Sequence, residues 1–285
     1  MVKNSALTKI KRELKRYLEL NLEDYGLKEL SSGEYESLYI GVKMKSAFQP
    51  IYNRIDGDLT GHEAVLNPYL GEEIGSSPEF AFTYAEKAGK LVQFDRASRA
   101  LHVLNFKKIY GETGLLFLNV HPSLLIAVSE HGKIFERILH AHSVPTHRVV
   151  IQIDESLIEQ DRLLTAAIEN YRERGYLIGL TNFGSRNSHI SRLWQYTPNF
   201  VKLDPRLIAQ AEENIHAKNI LPGLTKMIQD VGALSIIPKI ENQQQLDIAV
   251  ESGAALLQGS FLGEAVSAKD LQPSLLFGRQ KLRAA

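Results

Sequence analysis

Between residues 47 and 257 the chain alternates short apolar runs with longer segments of helical spacing. The runs are Ala47–Asn53, Gly61–Leu66, Leu115–Val120, Val149–Ile153, Leu177–Leu180, Phe200–Leu203, Leu234–Ile240 and Ala254–Leu257. Segments Pro78–Ala88, Asp95–Tyr110, Lys133–His140, Asp161–Arg174, Pro205–Ala211, Leu221–Val231 and Gln243–Ser252 read as helices. Strands alternating with helices of about 10–15 residues predict βαβ units and a mostly parallel sheet. Eight runs predict closure into a barrel rather than an open sheet. Arg54–Asp58 joins the first two runs and contains Asp56-Gly57, a pair suited to a hairpin turn. The expected fold is therefore α/β: a modified TIM-like (β/α)8 barrel with an antiparallel first strand.

Residues 1–44 differ from this pattern and are expected to form an N-terminal helical extension, with the barrel domain over 45–285. In Ala6–Leu22, Leu7, Ile10, Leu14, Tyr17 and Leu18 recur at helical spacing, with lysine and arginine between them. A second short helix is expected to include Ser32–Ile40. Such an extension packs on the main domain or docks a partner.

Polar residues close the apolar runs: Glu63, Asn119, Gln152, Thr181 and Asn182, Lys202, Glu241 and Gln258. A ring of polar side chains at strand C-termini is how a β/α barrel builds a site. Acids are scarce in this ring.

Composition narrows the chemistry. Lysine plus arginine number 33, as do aspartate plus glutamate, so bulk electrostatic binding to nucleic acid or an anionic membrane is not expected. The chain has no cysteine, which excludes disulfides and thiolate metal sites. Met1–Leu22 is too charged for a secretory signal, and Leu115–Val128 is broken by Asn119, His121 and Pro122. A cytoplasmic location without a membrane span is expected. His121 reads as a residue of the site's rim.

Eight blocks, in order, resemble the bacterial EAL domain, the cyclic di-GMP phosphodiesterase family. Phe48-Gln49-Pro50-Ile51 resembles its FQPI strand, and Gly61-His62-Glu63-Ala64-Val65-Leu66 resembles GYEALL with EAV for EAL. Leu118-Asn119-Val120-His121-Pro122 is similar to VNLSP, and Ile151-Gln152-Ile153-Asp154-Glu155-Ser156 to EITES. Leu180-Thr181-Asn182-Phe183-Gly184-Ser185 is similar to the DDFGTG loop, and Val201-Lys202-Leu203-Asp204 to KID. Ile237-Pro238-Lys239-Ile240-Glu241 occupies the place of AEGVE, and Gln258-Gly259-Ser260-Phe261 that of QGY. The resemblance covers about residues 45–268.

Active members cleave one phosphodiester of cyclic di-GMP with two divalent ions, Mg2+ or Mn2+, in a modified β/α barrel that is often dimeric. The resemblance puts Glu63 and Asn119 at metal-ligand positions. It puts Lys202 where a lysine handles the attacking water, Glu241 at a supporting carboxylate and Gln258 at a site-organising glutamine. Gln49, Glu63, Asn67, the Asp95-Arg96 pair, Lys202 and Gln258 are the positions that would meet a ligand. Several positions depart from the pattern. Gln152 stands for a glutamate, Thr181 and Asn182 for an aspartate pair, Pro238 for a glutamate, and Asn67 for a phosphate-binding arginine.

Two dications roughly 3.5–4 Å apart need anionic ligands to offset their repulsion, and Mg2+ takes carboxylate oxygens and water. Of the five carboxylate positions (63, 152, 181, 182 and 238), Glu63 alone keeps its charge. No metal, or a weak ion at Glu63 and Asn119, is expected. No cofactor is expected, and Mg2+ or Mn2+ enters only with residual activity. The expected function is a catalytically inactive EAL protein acting in signalling through a protein partner: a regulator, cyclase or motility component, or a second copy. A receptor that binds cyclic di-GMP without cleaving it, and an active enzyme with an atypical metal site, are the alternatives.

Overall fold

A computed structural model describes residues 25–71, 74–109, 114–127 and 132–271. The strands are β1 (Leu27–Glu29), β2 (Tyr35–Tyr39), β3 (Val42–Asn53), β4 (Leu59–Leu70), β5 (Ile74–Gly75) and β6 (Leu115–Val120). They continue as β7 (Val149–Asp154), β8 (Leu177–Phe183), β9 (Phe200–Leu203), β10 (Leu234–Ile237) and β11 (Leu256–Leu257). Eight of them, β3, β4 and β6 to β11, close a barrel. Strand β3 runs antiparallel to both β4 and β11, and every other neighbouring pair in the barrel is parallel. The hairpin expected at Asp56-Gly57 makes that antiparallel start. Asn53 N donates to Asp58 O at 2.8 Å, and Gly57 turns with a φ of 71°.

Helices return the chain between parallel strands: α1 (Pro78–Lys87), α2 (Leu91–Ile109), α3 (Leu124–Ala127), α4 (Lys133–Ala141) and α5 (Asp161–Glu173). They are followed by α6 (Ser191–Tyr196), α7 (Pro205–Glu213), α8 (Ile215–Asp230) and α9 (Gln243–Glu251). Local chemistry starts several of them. Ser77 accepts from Phe80 N before α1, Asp204 from Arg206 N before α7, and Asn242 from Gln245 N before α9. Each satisfies a backbone donor that a helix start would leave bare.

One expected element is wrong. Ser32–Ile40 is not helical: Tyr35–Tyr39 is strand β2, paired antiparallel with both β1 and β3. The segment alternates rather than cycling every 3.6 residues. Ser37 is fully buried, with its hydroxyl donating to Tyr25 O at 2.6 Å, while Leu38 is largely exposed. Asn105 on α2 fixes the strand by accepting from Tyr35 N at 2.7 Å and donating to Tyr35 O at 2.9 Å. The helix expected over Ala6–Leu22 lies outside the described residues.

The barrel interior explains where the site falls. Phe117, Val150, Phe200, Ile236, Leu256 and Ile51 form one buried cluster. Side chains two residues apart on a strand share a face. Stepping two residues along these strands therefore leads from Phe117 to Asn119, Val150 to Gln152, Phe200 to Lys202 and Leu256 to Gln258. On antiparallel β3 the step runs backwards, from Ile51 to Gln49. The apolar layer is a plug, and the polar residues form the next layer above it.

Outside the barrel, α6 is locked by charge. Arg192 is 1% exposed and meets the fully buried Glu155 at 2.6 Å and Asp161 at 2.9 Å. It also donates to Ile158 O at 2.5 Å. Removing one partner of a buried pair leaves an uncompensated charge. Arg192→Ala is expected to lower unfolding free energy by about 3–5 kcal/mol, read by urea denaturation; a loss within the ordinary surface range would show that the pair is not coupled to folding.

Candidate functional site

The strand C-termini open into a cavity of about 610 Å3. Its walls include Gln49, Glu63, Asn119, Gln152, Thr181, Asn182, Lys202, Pro238 and Gln258. These residues come from all eight barrel strands or the turns just past them, and register brings them level. Gln49 pairs with Glu63 across β3 and β4, and Asn119 with Gln152 across β6 and β7.

Glu63 is the centre of this layer. Its Oε1 accepts from Gln152 Nε2 at 2.7 Å and Asn119 Nδ2 at 3.1 Å. Its Oε2 accepts from Gln258 Nε2 at 2.6 Å and lies 2.8 Å from Lys202 Nζ. A carboxylate offers about four acceptor directions, and here all four are taken. The amides also hold one another. Gln152 Nε2 reaches Asn119 Oδ1 at 3.1 Å, and Gln258 Nε2 reaches Gln49 Oε1 at 3.1 Å. Gln49 in turn donates to Gly263 O at 3.2 Å.

Burial by itself would raise the Glu63 carboxyl, but the Lys202 ammonium and the hydrogen bonds from Gln258 and Gln152 outweigh it and bring it down to about 2. Lys202 is buried, and beyond its ion pair with Glu63 its ammonium makes no hydrogen bond within the described residues.

Sequence reasoning passed over Asp154. It lies at the end of β7, accepts from Asn182 Nδ2 at 2.5 Å and from Ser156 Oγ at 2.6 Å, and lines the same cavity. Its position two residues after Gln152, on the same strand face, was the available signal. Lys239 was also passed over, and it lines the cavity beside Pro238. Its φ is 61°. For a side chain other than glycine or asparagine this left-handed backbone costs about 1–2 kcal/mol. Asn182, at φ 57°, is of a residue type that visits this region more readily. His121, expected at the rim, lines the cavity and stacks on Phe82 with ring centroids 5.4 Å apart.

Four expected site residues lie elsewhere. Glu241 is exposed and outside the cavity wall, because β10 ends at Ile237 and the chain turns away; its backbone N–H donates to Gln245 Oε1 at 2.8 Å. Asn67 is exposed on the outer part of β4, opposite Lys45. The Asp95-Arg96 pair is not a cavity pair. Asp95 is 1% exposed and bonds Arg99, one helical turn on, and neither Asp95 nor Arg96 lines the cavity.

The donor set does not fit a pair of Mg2+ or Mn2+ ions. Both Glu63 oxygens already face N–H and ammonium donors, and the neighbouring ring positions carry amides, a hydroxyl and a proline. Among the described residues, no three histidine, aspartate or glutamate side chains gather as a metal-binding group. No described helix is long and apolar enough to cross a membrane.

A β/α barrel entered through an antiparallel strand, with its polar layer at the strand C-termini, defines the class of fold. The family model described as "EAL domain" matches residues 38–265, and the chain belongs to that family. The probable cyclic di-GMP phosphodiesterase PdeG of Escherichia coli is 23% identical over 242 residues, covering 80% of this chain and 46% of PdeG. The chain spans less than half the length of the curated relatives it matches first. Among solved structures, the PaMucR phosphodiesterase in complex with c-di-GMP has a TM-score of 0.71 at 19% identity, covering 80% of this chain and 94% of its own. The Xanthomonas citri FimX EAL domain in complex with c-diGMP has a TM-score of 0.69 at 18% identity, covering 94% and 99%. At these identities the likeness shows the shared barrel.

The depressed Glu63 carboxyl makes a pH prediction. A lowered folded-state pKa adds stability that is fully present above about 4.5 and disappears as pH falls towards 2. Glu63→Gln is expected to lose about 3 kcal/mol at neutral pH. The gap from the parent should close between pH 4.5 and 2 in denaturant titrations across pH. A gap independent of pH would rule out the charge as its source.

Proposed function

We propose that this chain is an EAL domain that does not hydrolyse cyclic di-GMP and acts in signalling or regulation by contact with a protein partner. The observation that carries this reading is the closed coordination of Glu63. Hydrolysis by paired dications needs open carboxylate oxygens, a metal-activated water and a stabilised leaving oxygen. Glu63 presents its oxygens to three amides and one ammonium instead. Lys202 does not replace the ions, because an ammonium is a point charge without open coordination sites.

The expected partner is a regulator, a cyclase or a motility component in the cytoplasm, with a second copy of the chain as a further candidate. The part specific to this chain is the N-terminal extension. Residues 25–44 contribute strands to the sheet, so the separable portion for testing is residues 1–24.

Purified protein incubated with cyclic di-GMP and Mg2+, and separately with Mn2+, is expected to yield no linear dinucleotide above the protein-free control. Metal-dependent turnover near 1 s⁻¹ or faster, on the order of an ordinary enzyme, would refute the reading. With the full chain as bait, a partner should be retained that the chain lacking residues 1–24 does not retain. Equal retention would put the contact on the barrel.

A further inference from the structure

Helix α1 has three sides with different neighbours. Ala81 and Ala85 face the core and are fully buried. Pro78, Glu79, Phe82 and Thr83 lie on the cavity wall. Phe80 and Tyr84 belong to neither side and stay 51% and 43% exposed. Four positions apart, they are neighbours on the helix surface. They present an aromatic strip where a surface helix ordinarily carries polar residues.

Charge around the strip has one sign. Residues 72–86 hold Glu72, Glu73, Glu79 and Glu86 and no lysine or arginine. The complementary composition stands at the start of the chain. Residues 1–18 hold Lys3, Lys9, Lys11, Arg12, Lys15 and Arg16 against one acid, Glu13. Among those charges Leu7, Ile10, Leu14, Tyr17 and Leu18 recur at helical spacing. A basic segment with an apolar stripe matches an acidic helix with an aromatic strip in both charge and hydrophobicity.

The chain also delivers that segment to α1. Tyr25, the first described residue, is buried in the same cluster as Ala81 and Ala85, and its carbonyl accepts from Ser37 Oγ at 2.6 Å. Six residues, 19–24, separate Leu18 from this anchor. Extended, they span about 20 Å, more than the length of about 15 Å of a ten-residue helix such as α1. A tether this short sets an effective concentration on the order of 1 mM, which favours the chain's own segment over that of a second copy.

We propose that residues 1–18 dock in cis on the outer side of α1, with their apolar stripe against Phe80 and Tyr84. The consequence rests on the reading of residues 1–24 as the partner-binding portion. A stripe held on α1 meets a partner only after it lifts, so the aromatic strip sets how readily a partner is captured.

The chain has no cysteine, so a designed pair reports this contact in the full chain without background. Leu14→Cys with Tyr84→Cys is oxidised at micromolar concentration, well below the effective concentration of the tether, and read by non-reducing electrophoresis. Leu14→Cys with Ile220→Cys is the control. Ile220 is 58% exposed on α8, which follows β9, on the opposite side of the barrel from β4. The first pair is expected to close within one chain about tenfold faster than the control. Phe80→Ser should slow it about fivefold, the loss of one half-exposed ring from the contact, and added salt should slow it as well. Equal rates for the two pairs, or no effect of Phe80→Ser, would overturn the proposal. A disulfide that joins two chains instead of closing one would also overturn it, because the occupant would then be another copy's segment. With the disulfide closed, partner retention should fall, and reductant should restore it. Retention unchanged by closure would strike the partner-binding role of residues 1–24 and leave the docking standing.

Discussion

The ion pair between Glu63 and Lys202 sets the terms for the upper half of this barrel. Two charges lie just above an apolar plug, where isolated ions are costly and pairing has to be well completed. Completion comes from neutral amides. Asn119, Gln152 and Gln258 each donate to Glu63, and Gln49 orders Gln258 from the neighbouring strand. The network spans strands that are distant in sequence, so it fastens the antiparallel start of the barrel to its parallel remainder. A polar layer of this kind is held by the mutual satisfaction of its members.

The barrel was legible in the sequence because its strands are buried on both faces and read as continuous apolar runs. The ring was legible because polar residues end those runs. What escaped has physical causes. Ser32–Ile40 is short, and its alternation is masked by Ser37, a polar residue that is buried because its hydroxyl has a backbone acceptor. Asp95 was read with its neighbour Arg96, yet adjacent residues on a helix do not face each other, and the partner is four positions on. Glu241 failed as a ring member because β10 ends four residues earlier, so strand alternation no longer directs its side chain.

Lys239 and Asp154 escaped for a different reason. Attention to absent acids hides groups that have arrived. Asp154 brings a carboxylate back to the cavity, but Asn182 and Ser156 restrain it. Lys239 adds a positive charge on a backbone that ordinarily suits glycine. The cavity therefore differs from a carboxylate-rich one by rearrangement as well as by loss. Its polar side is biased towards ammonium and amide donors, and its other wall stays apolar. Fold membership alone would not have revealed that bias, because the same barrel hosts sites of different chemistry.

Because every oxygen of Glu63 already has a donor, the layer resists reversal in small evolutionary steps. Exchanging Gln152 for glutamate would set a second carboxylate about 3 Å from the first, where two like charges cannot both ionise cheaply, and would delete a donor at the same time. A single acid at Gln152 would cost stability before any second one made it useful. The amide layer acts as a ratchet on the lineage that carries it.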